Sequence, residues 1–297
     1  MRVLAALVAA VAFVVSQPAS SQGPDPARTV RDGVGRQVTL PALPSRIVSL
    51  APSVTEILFA VGAGDRVVGV TDFCDNPPEA RSLPRVGGLI HPDLERLASL
   101  KPQLAIASTA GNYREDAERI EKLGIPVYTL AASSLEEILQ SVEKVGDIVG
   151  SQATALKVSA SLRERVARVR QEAATRRRPR VLFVIEPEPL IAPGPETFVG
   201  EALRIAGADL VSQGASSGWN QIDLEQVVAL NPDLILATPA HAAWARALPD
   251  SPTWRLVPAA REGKVRVISD AIQHPGPRLI DGMEEVARLL ESWRAGS

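Results

Sequence analysis

The stretches DLERLASLKPQLAIA at residues 93–107 and DLEQVVALNPDLILA at residues 223–237 repeat each other and decide how the chain is organised. Seven of the fifteen aligned residues are identical, and both stretches read as a helix, a proline and a short apolar strand. The two copies start 130 residues apart, whereas arrays of small repeats have periods of about 20–50 residues. A repeat of domain size predicts two similar lobes.

Strands and helices alternate outward from both copies of the repeat. Short apolar runs at Val67–Val70 and Val127–Leu130 read as buried strands, and helical patterns lie between them. Ser53 and Glu56 have the spacing of a capping box at the helix that follows the first core strand. This alternation predicts an α/β fold with two similar Rossmann-like lobes, mostly parallel sheets and a ligand cleft between the lobes.

A long segment between the two copies contains neither glycine nor proline, and its apolar residues recur at helical spacing. It predicts one rigid helix over residues 151–177, which would be about 40 Å long. The predicted division is therefore an N-terminal lobe at residues 22–150, this linking helix, and a C-terminal lobe at residues 178–297.

The N-terminus has the pattern of a secretory signal peptide. A charged start at Arg2 precedes an apolar run over Val3–Val15 and then small residues. The run is shorter than the stretch of about 20 residues that spans a bilayer. We predict a signal peptide at residues 1–21, a mature protein that starts near Gln22, and a location in the periplasm. Cys74 is the one cysteine and does not follow the apolar run, so we expect no lipid anchor.

Charge and motifs argue against nucleic-acid binding and against catalysis. A net charge of −2 leaves no basic surplus to neutralise phosphates. The chain has three histidines, and it lacks a His-Glu-x-x-His pair, a Walker loop and a dinucleotide fingerprint. We predict that the protein is not an enzyme and carries no cofactor of its own.

The densest group of potential metal ligands is Asp72-Phe73-Cys74-Asp75, directly after the strand Val67–Val70. A thiolate with two carboxylates could bind a soft metal ion. In the alternative, which we favour, the aspartates shape the turn before two prolines and Cys74 packs as a small apolar residue. Cys74 is therefore only a weak metal candidate.

Aromatic residues in loops are candidates for contact with a planar ligand. Trp219 follows Ser216-Ser217-Gly218, where little local core exists for it to fill. Stacking on a ligand and anchoring of the loop are equally open for this residue. Phe73, Tyr113 and Trp244 are weaker candidates of the same kind. Residues 189–194, with two prolines, read as a rigid loop that lines the site.

Each copy of the repeat opens with an acidic helix start. Asp93 and Asp223 are placed as N-caps, and Glu95 and Glu225 fall in the first helical turn. Carboxylates there stabilise a helix through its dipole by about 0.3–1 kcal/mol. Two carboxylates at equivalent places on two lobes would alternatively form a symmetric docking pair for basic residues of a partner. Composition alone favours the helix-stabilising role.

Three further stretches carry a resemblance to a known family: RIVSLAPSVTEILFA at residues 46–60, VGVTDFCDNPPEA at residues 68–80 and HPGPR at residues 274–278. Together with the repeated Leu-Glu stretches they resemble the helical-backbone periplasmic binding proteins that serve ABC importers. Within that family the chain is most similar to the cobalamin-binding branch. The resemblance extends over residues 28–294.

The resemblance implies roles for individual residues. Trp219 matches an aromatic residue of the corrinoid site, and Asp270 matches a polar ligand contact. Leu89 stands where the cobalamin binders have a second tryptophan, and His274 stands where they have an arginine. Together with Phe73 these residues form the expected ligand-binding set, and His274 is also a weak metal candidate.

The resemblance also implies partners and a motion. Glu95 and Glu225 would dock onto arginines of an inner-membrane permease that works with an ATPase, which reverses the preference from composition. The long linking helix would keep closure on the ligand small. We expect a monomer that binds a corrinoid and delivers it to the permease.

Other ligands are compatible with the same architecture. A ferric siderophore would need arginines in the cleft, and Arg85, Arg114 and Arg278 are the candidates. Haem would need a tyrosine or histidine ligand, and the chain has only two tyrosines. A metal-dependent hydrolase is a remote alternative, and its candidate residues would be Asp72, Cys74, Asp75 and His91.

Overall fold

The computed structural model describes residues 27–214 and 218–295, so the predicted signal peptide at residues 1–21 lies outside the described residues. Among the described helices, none combines the length and the apolar character that crossing a bilayer requires. The strands are β1 (Ala27–Arg31), β2 (Gln37–Pro41), β3 (Ile47–Ser49), β4 (Val67–Val70), β5 (Leu104–Ser108), β6 (Val127–Leu130), β7 (Arg180–Phe183), β8 (Glu186–Pro187), β9 (Leu190–Pro193), β10 (Asp209–Leu210), β11 (Trp219–Gln221), β12 (Leu234–Ala237) and β13 (Val265–Val267). The α-helices are α1 (Pro52–Ala60), α2 (Leu94–Ser99), α3 (Arg114–Glu121), α4 (Leu135–Ile148), α5 (Gln152–Ala174), α6 (Phe198–Ile205), α7 (Leu224–Leu230), α8 (Ala242–Ala247), α9 (Pro258–Arg261) and α10 (Arg278–Ala295).

The N-terminal lobe is built on a parallel sheet with the strand order β4-β3-β5-β6, beside the antiparallel hairpin of β1 and β2. Every residue of β3 and β5 is buried, as expected for parallel strands with helices on both faces. Ile47 and Ile106 pack into one apolar cluster, and Val48 and Ala105 pack into another on the opposite face. The loops that follow the carboxyl ends of these strands are therefore held by a core on both sides.

The C-terminal lobe has the same topology. Its parallel sheet runs β10-β7-β12-β13, so counting the strands of each lobe from its first gives the order 2-1-3-4 in both lobes. The two copies of the repeat occupy equivalent places, since one forms α2 and β5 and the other forms α7 and β12. The prediction of an α/β protein with two similar lobes is confirmed.

The C-terminal lobe also carries an antiparallel sheet, β11-β9-β8, which the sequence patterns did not predict. The prediction of a loop over residues 189–194 is wrong, because Leu190–Pro193 forms β9 at the centre of this sheet. The prolines lie in the turn and at the strand end, where no N–H is needed for the sheet. Trp219 likewise opens β11, opposite Pro193, instead of lying in a loop.

Helix α5 connects the lobes and packs against both α4 and α10. It is 23 residues long and buries Leu162, Val166 and Val169. These residues belong to an apolar cluster that continues from Ile47 in the N-terminal lobe to Phe183 in the C-terminal lobe. The linking helix is thus part of a core shared by both lobes.

The start of α1 differs from its prediction. Ala51 is the N-cap and makes no side-chain capping bond, Pro52 occupies the first turn, and Ser53 lies inside the helix. Proline is well suited to the first helical position because no partner is needed there for its missing N–H. Glu56 does not complete a capping box, since its carboxylate binds Arg278 of the other lobe.

Candidate functional site

A cleft of about 700 Å³ is lined by residues from both lobes. The N-terminal lobe contributes residues directly after β5 and β6, and the C-terminal lobe contributes residues after β7, at the start of α6, at the start of β11 and after β13. Ligands of open parallel sheets bind at the carboxyl ends of the strands, and clefts of this volume hold small molecules. The lining residues are Thr109, Ala110, Ala132, Ser133, Ile185, Glu196, Thr197, Phe198, Gly218, Trp219 and Gln273.

Trp219 is the large aromatic side chain exposed in this cleft, with 50% of its surface accessible. Its ring packs edge-to-face on Phe198, with ring centroids 6.1 Å apart. Phe198 is buried at the start of α6, where Thr197 caps the helix by accepting a hydrogen bond from the Gly200 backbone N–H. Trp219 is thus held by a packed neighbour while half of its surface is free to contact a planar ligand.

The cleft is almost uncharged. Among its described lining residues, Glu196 is the one charged side chain, and the others are apolar, aromatic or neutral polar groups. An anionic ligand buried there would meet no cation to offset the loss of its hydration. The lining therefore suits a neutral ligand that offers hydrogen-bonding groups and a flat apolar face.

The three arginines that could have served an anionic chelate are engaged elsewhere. The Arg85 guanidinium donates two hydrogen bonds to backbone carbonyl groups of the neighbouring turn. Arg114 pairs with Glu118 on its own helix at 2.8 Å. Arg278 pairs with Glu56 at 2.8 Å. None of the three lines the cleft in the described part of the chain.

Phe73 and Leu89 lie on neighbouring loops of the N-terminal lobe. The Asp72 backbone N–H donates to the Gly87 carbonyl oxygen at 2.9 Å, which joins the two loops. The Asn112 side chain donates to the Leu89 carbonyl oxygen at 2.9 Å. Phe73 is 59% exposed, whereas Leu89 is half-buried against the core. The two predicted residues thus lie on loops that are joined to each other, and neither is among the residues that line the cleft.

The other weaker aromatic candidates lie outside the cleft lining as well. Trp244 packs edge-to-face on Trp254 at 5.4 Å, against the core of the C-terminal lobe. Tyr113 is exposed and packs on His91 with ring centroids 6.4 Å apart.

Asp270 begins the short 3-10 turn Asp270–Gln273, whose last residue lines the cleft, and His274 follows it directly. Neither Asp270 nor His274 is itself among the lining residues. Nε2 of His274 is 3.3 Å from the Asp270 carboxylate. Burial, followed by the charge of Arg278, lowers the pKa of His274. The imidazole is therefore neutral at pH 7, and Asp270, with 53% of its side chain exposed, is the accessible carboxylate of this turn.

Glu56 is a buried carboxylate at the contact between the lobes, with 3% of its side chain exposed. Its Oε1 accepts a hydrogen bond from Nε of Arg278 at 2.8 Å, and its Oε2 is buried without a hydrogen-bond partner among the described residues. Burial raises the pKa of Glu56 to about 7, although Arg278 and, more weakly, Asn76 oppose the rise.

This pKa predicts a dependence of stability on pH. The ordinary value is 4.5, so between pH 4.5 and 7 the folded protein holds a proton that the unfolded chain has released. Stability is therefore lost as the pH rises through this window, by up to about 3 kcal/mol. Glu56→Gln cannot ionise, so we expect it to exceed the wild type in free energy of unfolding by up to about 3 kcal/mol at pH 8 and by less than about 1 kcal/mol at pH 5.

Urea unfolding at both pH values measures this difference. Glu225→Gln serves as the control, because Glu225 is exposed and its replacement should give the same small difference at pH 5 and pH 8. A Glu56→Gln variant whose advantage does not grow with pH would contradict the raised pKa.

The metal candidates do not converge. Cys74 is fully buried, with Sγ 3.1 Å from the Thr71 hydroxyl, as expected for a packed residue. His91 lies 3.1 Å from Asp116 instead of joining the turn at Cys74. In the described part of the chain, no three His, Cys, Asp or Glu side chains are grouped so that they could hold a metal ion.

Glu95 and Glu225 occupy equivalent exposed positions in the first turns of α2 and α7. Asp93 caps α2 through the backbone N–H groups of its first turn, and Asp223 forms a capping box with Gln226. Because the aspartates already cap both helices, the two glutamates are not needed for that role. They are exposed carboxylates at matching places on the two lobes.

Phe198, Ile185 and Gln273 line the cleft, although no motif in the sequence marks them as site residues. Each follows the end of a strand or opens a helix. This position after a strand or at a helix start was the one indication in the sequence that they could line a site, since the carboxyl ends of parallel strands meet at the same edge of a sheet.

A family model described as periplasmic binding protein matches residues 47–271. One relative, named an uncharacterized ABC transporter substrate-binding lipoprotein, YvrC, from Bacillus subtilis, is 32% identical over 88% of this chain and 85% of its own length. A protein named vitamin B12-binding protein from Vibrio parahaemolyticus is 29% identical over 83% of this chain and 90% of its own length.

Solved structures give the same assignment of the fold. The periplasmic vitamin B12 binding protein BtuF of Vibrio cholerae superposes with a TM-score of 0.72 at 26% identity, over 84% of this chain and 97% of that one. The periplasmic heme-binding protein RhuT from Roseiflexus superposes with a TM-score of 0.74 at 26% identity, over 82% of this chain and 96% of that one. The similar fold therefore occurs with more than one ligand.

Proposed function

We propose a function for this chain from one premise: it belongs to the periplasmic binding protein family, whose model matches residues 47–271. The protein captures a corrinoid in the cleft between its lobes and delivers it to the permease of an ABC importer. It acts as a binding protein and not as an enzyme, and the corrinoid is its cargo, with no cofactor of its own.

The observation that carries the ligand class is the nearly uncharged cleft with a half-exposed tryptophan. Corrinoids present a broad ring system edged with amide groups, which offer hydrogen bonds and carry no negative charge. Trp219 would contact the ring or its substituents, and the hydroxyl and amide groups of Thr109, Ser133 and Gln273 would meet the edge amides. Asp270 at the rim would accept hydrogen bonds from further amides.

The same observation argues against the two alternative ligand classes. Ferric siderophores are commonly anionic, and haem carries two propionates, so both favour a cleft with cations. The candidate arginines are held outside the lining in the described chain, and no His or Tyr lines it. Haem is the second candidate, because one of the similar solved structures is a heme-binding protein.

The proposed site of action is the periplasm, with the segment at residues 1–21 as the export signal. Family members are substrate-binding components of ABC transporters, which implies a membrane permease with an ATPase as the partner. We propose that the protein meets the permease as a monomer, with Glu95 and Glu225 as the docking carboxylates.

Calorimetric titration of the purified mature protein with cyanocobalamin, cobinamide, haem and a ferric siderophore tests the ligand class. We expect saturable binding of a corrinoid with a dissociation constant of about 1 μM or below, which is about −8 kcal/mol. Binding of haem or the siderophore without binding of either corrinoid would overturn the corrinoid proposal and leave the family assignment intact.

A further inference from the structure

Four charged or titratable side chains form a closed ring at the contact between the lobes. Nε of Arg278 lies 2.8 Å from the Glu56 carboxylate, and Nη1 of Arg278 lies 4.0 Å from the Asp270 carboxylate. His274 completes the ring, 3.3 Å from Asp270 through Nε2 and 3.8 Å from Glu56 through Nδ1. Glu56 comes from the N-terminal lobe, and the other three come from the C-terminal lobe.

The arginine of this ring stands between two carboxylates of different exposure. Glu56 has 3% of its side chain exposed, whereas Asp270, on the turn that ends at the lining residue Gln273, has 53% exposed. A charged hydrogen bond is stronger when it is sheltered from water. Arg278 accordingly binds Glu56 directly and leaves Asp270 at a distance that is too long for a hydrogen bond.

The backbone keeps this arrangement in place. The segment between His274 and Arg278 contains two prolines around Gly276. A side-chain carbon at Gly276 would lie 3.3 Å from Ser53 and 3.4 Å from Oε2 of Glu56, so this segment rests closely on α1. The start of α10, and with it the Arg278 backbone, is therefore placed against the N-terminal lobe.

We propose that Glu56 is a positioning residue for ligand capture: by holding Arg278 across the lobes, it keeps the guanidinium from pairing with Oδ1 of Asp270 and leaves that oxygen available to the ligand. This inference rests on the proposed function, in which Asp270 accepts hydrogen bonds from ligand amides. Without the Glu56 charge, Arg278 turns to the only other carboxylate of the ring. The Asp270 carboxylate then accepts hydrogen bonds from the guanidinium, and the ligand loses a hydrogen-bond acceptor.

Corrinoid titrations of a set of variants at pH 8, where Glu56 is ionised, test the proposal. We expect Glu56→Gln to weaken corrinoid binding by about tenfold, which matches the loss of one hydrogen bond to a charged group. Glu56→Gln with Arg278→Gln is expected to recover binding to within about threefold of the wild type, because no arginine is left to occupy Asp270. In an Asp270→Asn background, Glu56→Gln should have no further effect.

Arg165→Gln is the matched control. Arg165 is an arginine of similar exposure on α5, and its carboxylate partners, Glu284 at 2.8 Å and Asp281 at 2.6 Å, are not members of the ring. It should leave corrinoid affinity unchanged. Failure of the double variant to recover binding, or a further loss from Glu56→Gln in the Asp270→Asn background, would overturn the positioning role.

A measurement without ligand tests the exchange of Arg278 between Glu56 and Asp270 independently of whether the protein binds a corrinoid. Thermal unfolding at pH 8 compares Asp270→Asn in the wild-type and Glu56→Gln backgrounds. In the wild-type background the melting temperature should change by less than about 1 °C, because Arg278 and Asp270 are 4.0 Å apart and Asp270 is exposed. In the Glu56→Gln background it should fall by about 2–4 °C, because Arg278 now pairs with Asp270. Equal changes in both backgrounds would refute the exchange of partners, whatever ligand the cleft binds.

Discussion

Replacement of Trp219 by alanine is expected to weaken corrinoid binding by about 30-fold, equivalent to about 2 kcal/mol. The side chain is half-exposed in a cleft whose other large aromatic, Phe198, is already buried beneath it. Trp219 is therefore the aromatic surface that the lining offers to a planar ligand. The loss combines stacking with the burial of apolar area, which are the terms that make tryptophan a frequent centre of binding energy.

Titration calorimetry is the suitable measurement, because the replacement removes the fluorophore nearest the cleft. Trp219→Phe keeps an aromatic ring and should lose less than about fivefold. Trp244→Phe is the matched control, since Trp244 packs on Trp254 outside the cleft lining. An unchanged dissociation constant in Trp219→Ala would show that the ligand does not use this part of the cleft.

Simultaneous replacement of Glu95 and Glu225 by arginine is expected to reduce ligand-dependent stimulation of the partner ATPase by more than about 100-fold. The reversed charges would face the basic residues that the proposed docking requires, and juxtaposed like charges cost several kcal/mol. Corrinoid affinity should stay unchanged, because neither residue lines the cleft. The measurement is ATP hydrolysis by the importer reconstituted in vesicles, with the loaded binding protein titrated in.

Glu115→Arg is the control for this pair of replacements. Glu115 is an exposed first-turn glutamate of α3, so its reversal has the same effect on a helix dipole as reversal of Glu95. Glu115→Arg should leave ATPase stimulation within about twofold of the wild type, since Glu115 lies outside the repeated stretches and is not one of the proposed docking carboxylates. Full stimulation by the doubly reversed protein would rule out the docking role.

Glu56 is expected to affect both the stability of the fold and the binding of the ligand. Glu56 is expected to lower the stability of the folded protein at pH 8, yet the positioning role gives a reason for an ionised carboxylate at a buried place. A Glu56→Gln protein that is more stable at pH 8 and binds more weakly would separate the two effects, because damage to the fold would lower both.

The repeated stretches at residues 93–107 and 223–237 predicted the two lobes from the sequence alone, because each copy holds a capped helix, a break and a buried strand in local order. Such patterns are set by neighbours in the chain. Parallel strands buried on both faces need continuous apolar runs, and β5 and β12 have them. Trp219 could also be singled out, although its place in β11 could not, since a three-residue strand leaves almost no periodic signal.

What the tertiary structure decided concerns residues that are distant in the chain. Glu56 reads as a helix-capping residue in the sequence, and only the fold places it beside Arg278, 222 positions away, where burial raises its pKa to about 7. The charge of the cleft is decided in the same way, because Arg85 and Arg278 look available until the structure shows their partners. Local sequence patterns determine elements and their order, whereas desolvation and ion pairing depend on which distant groups share a buried place.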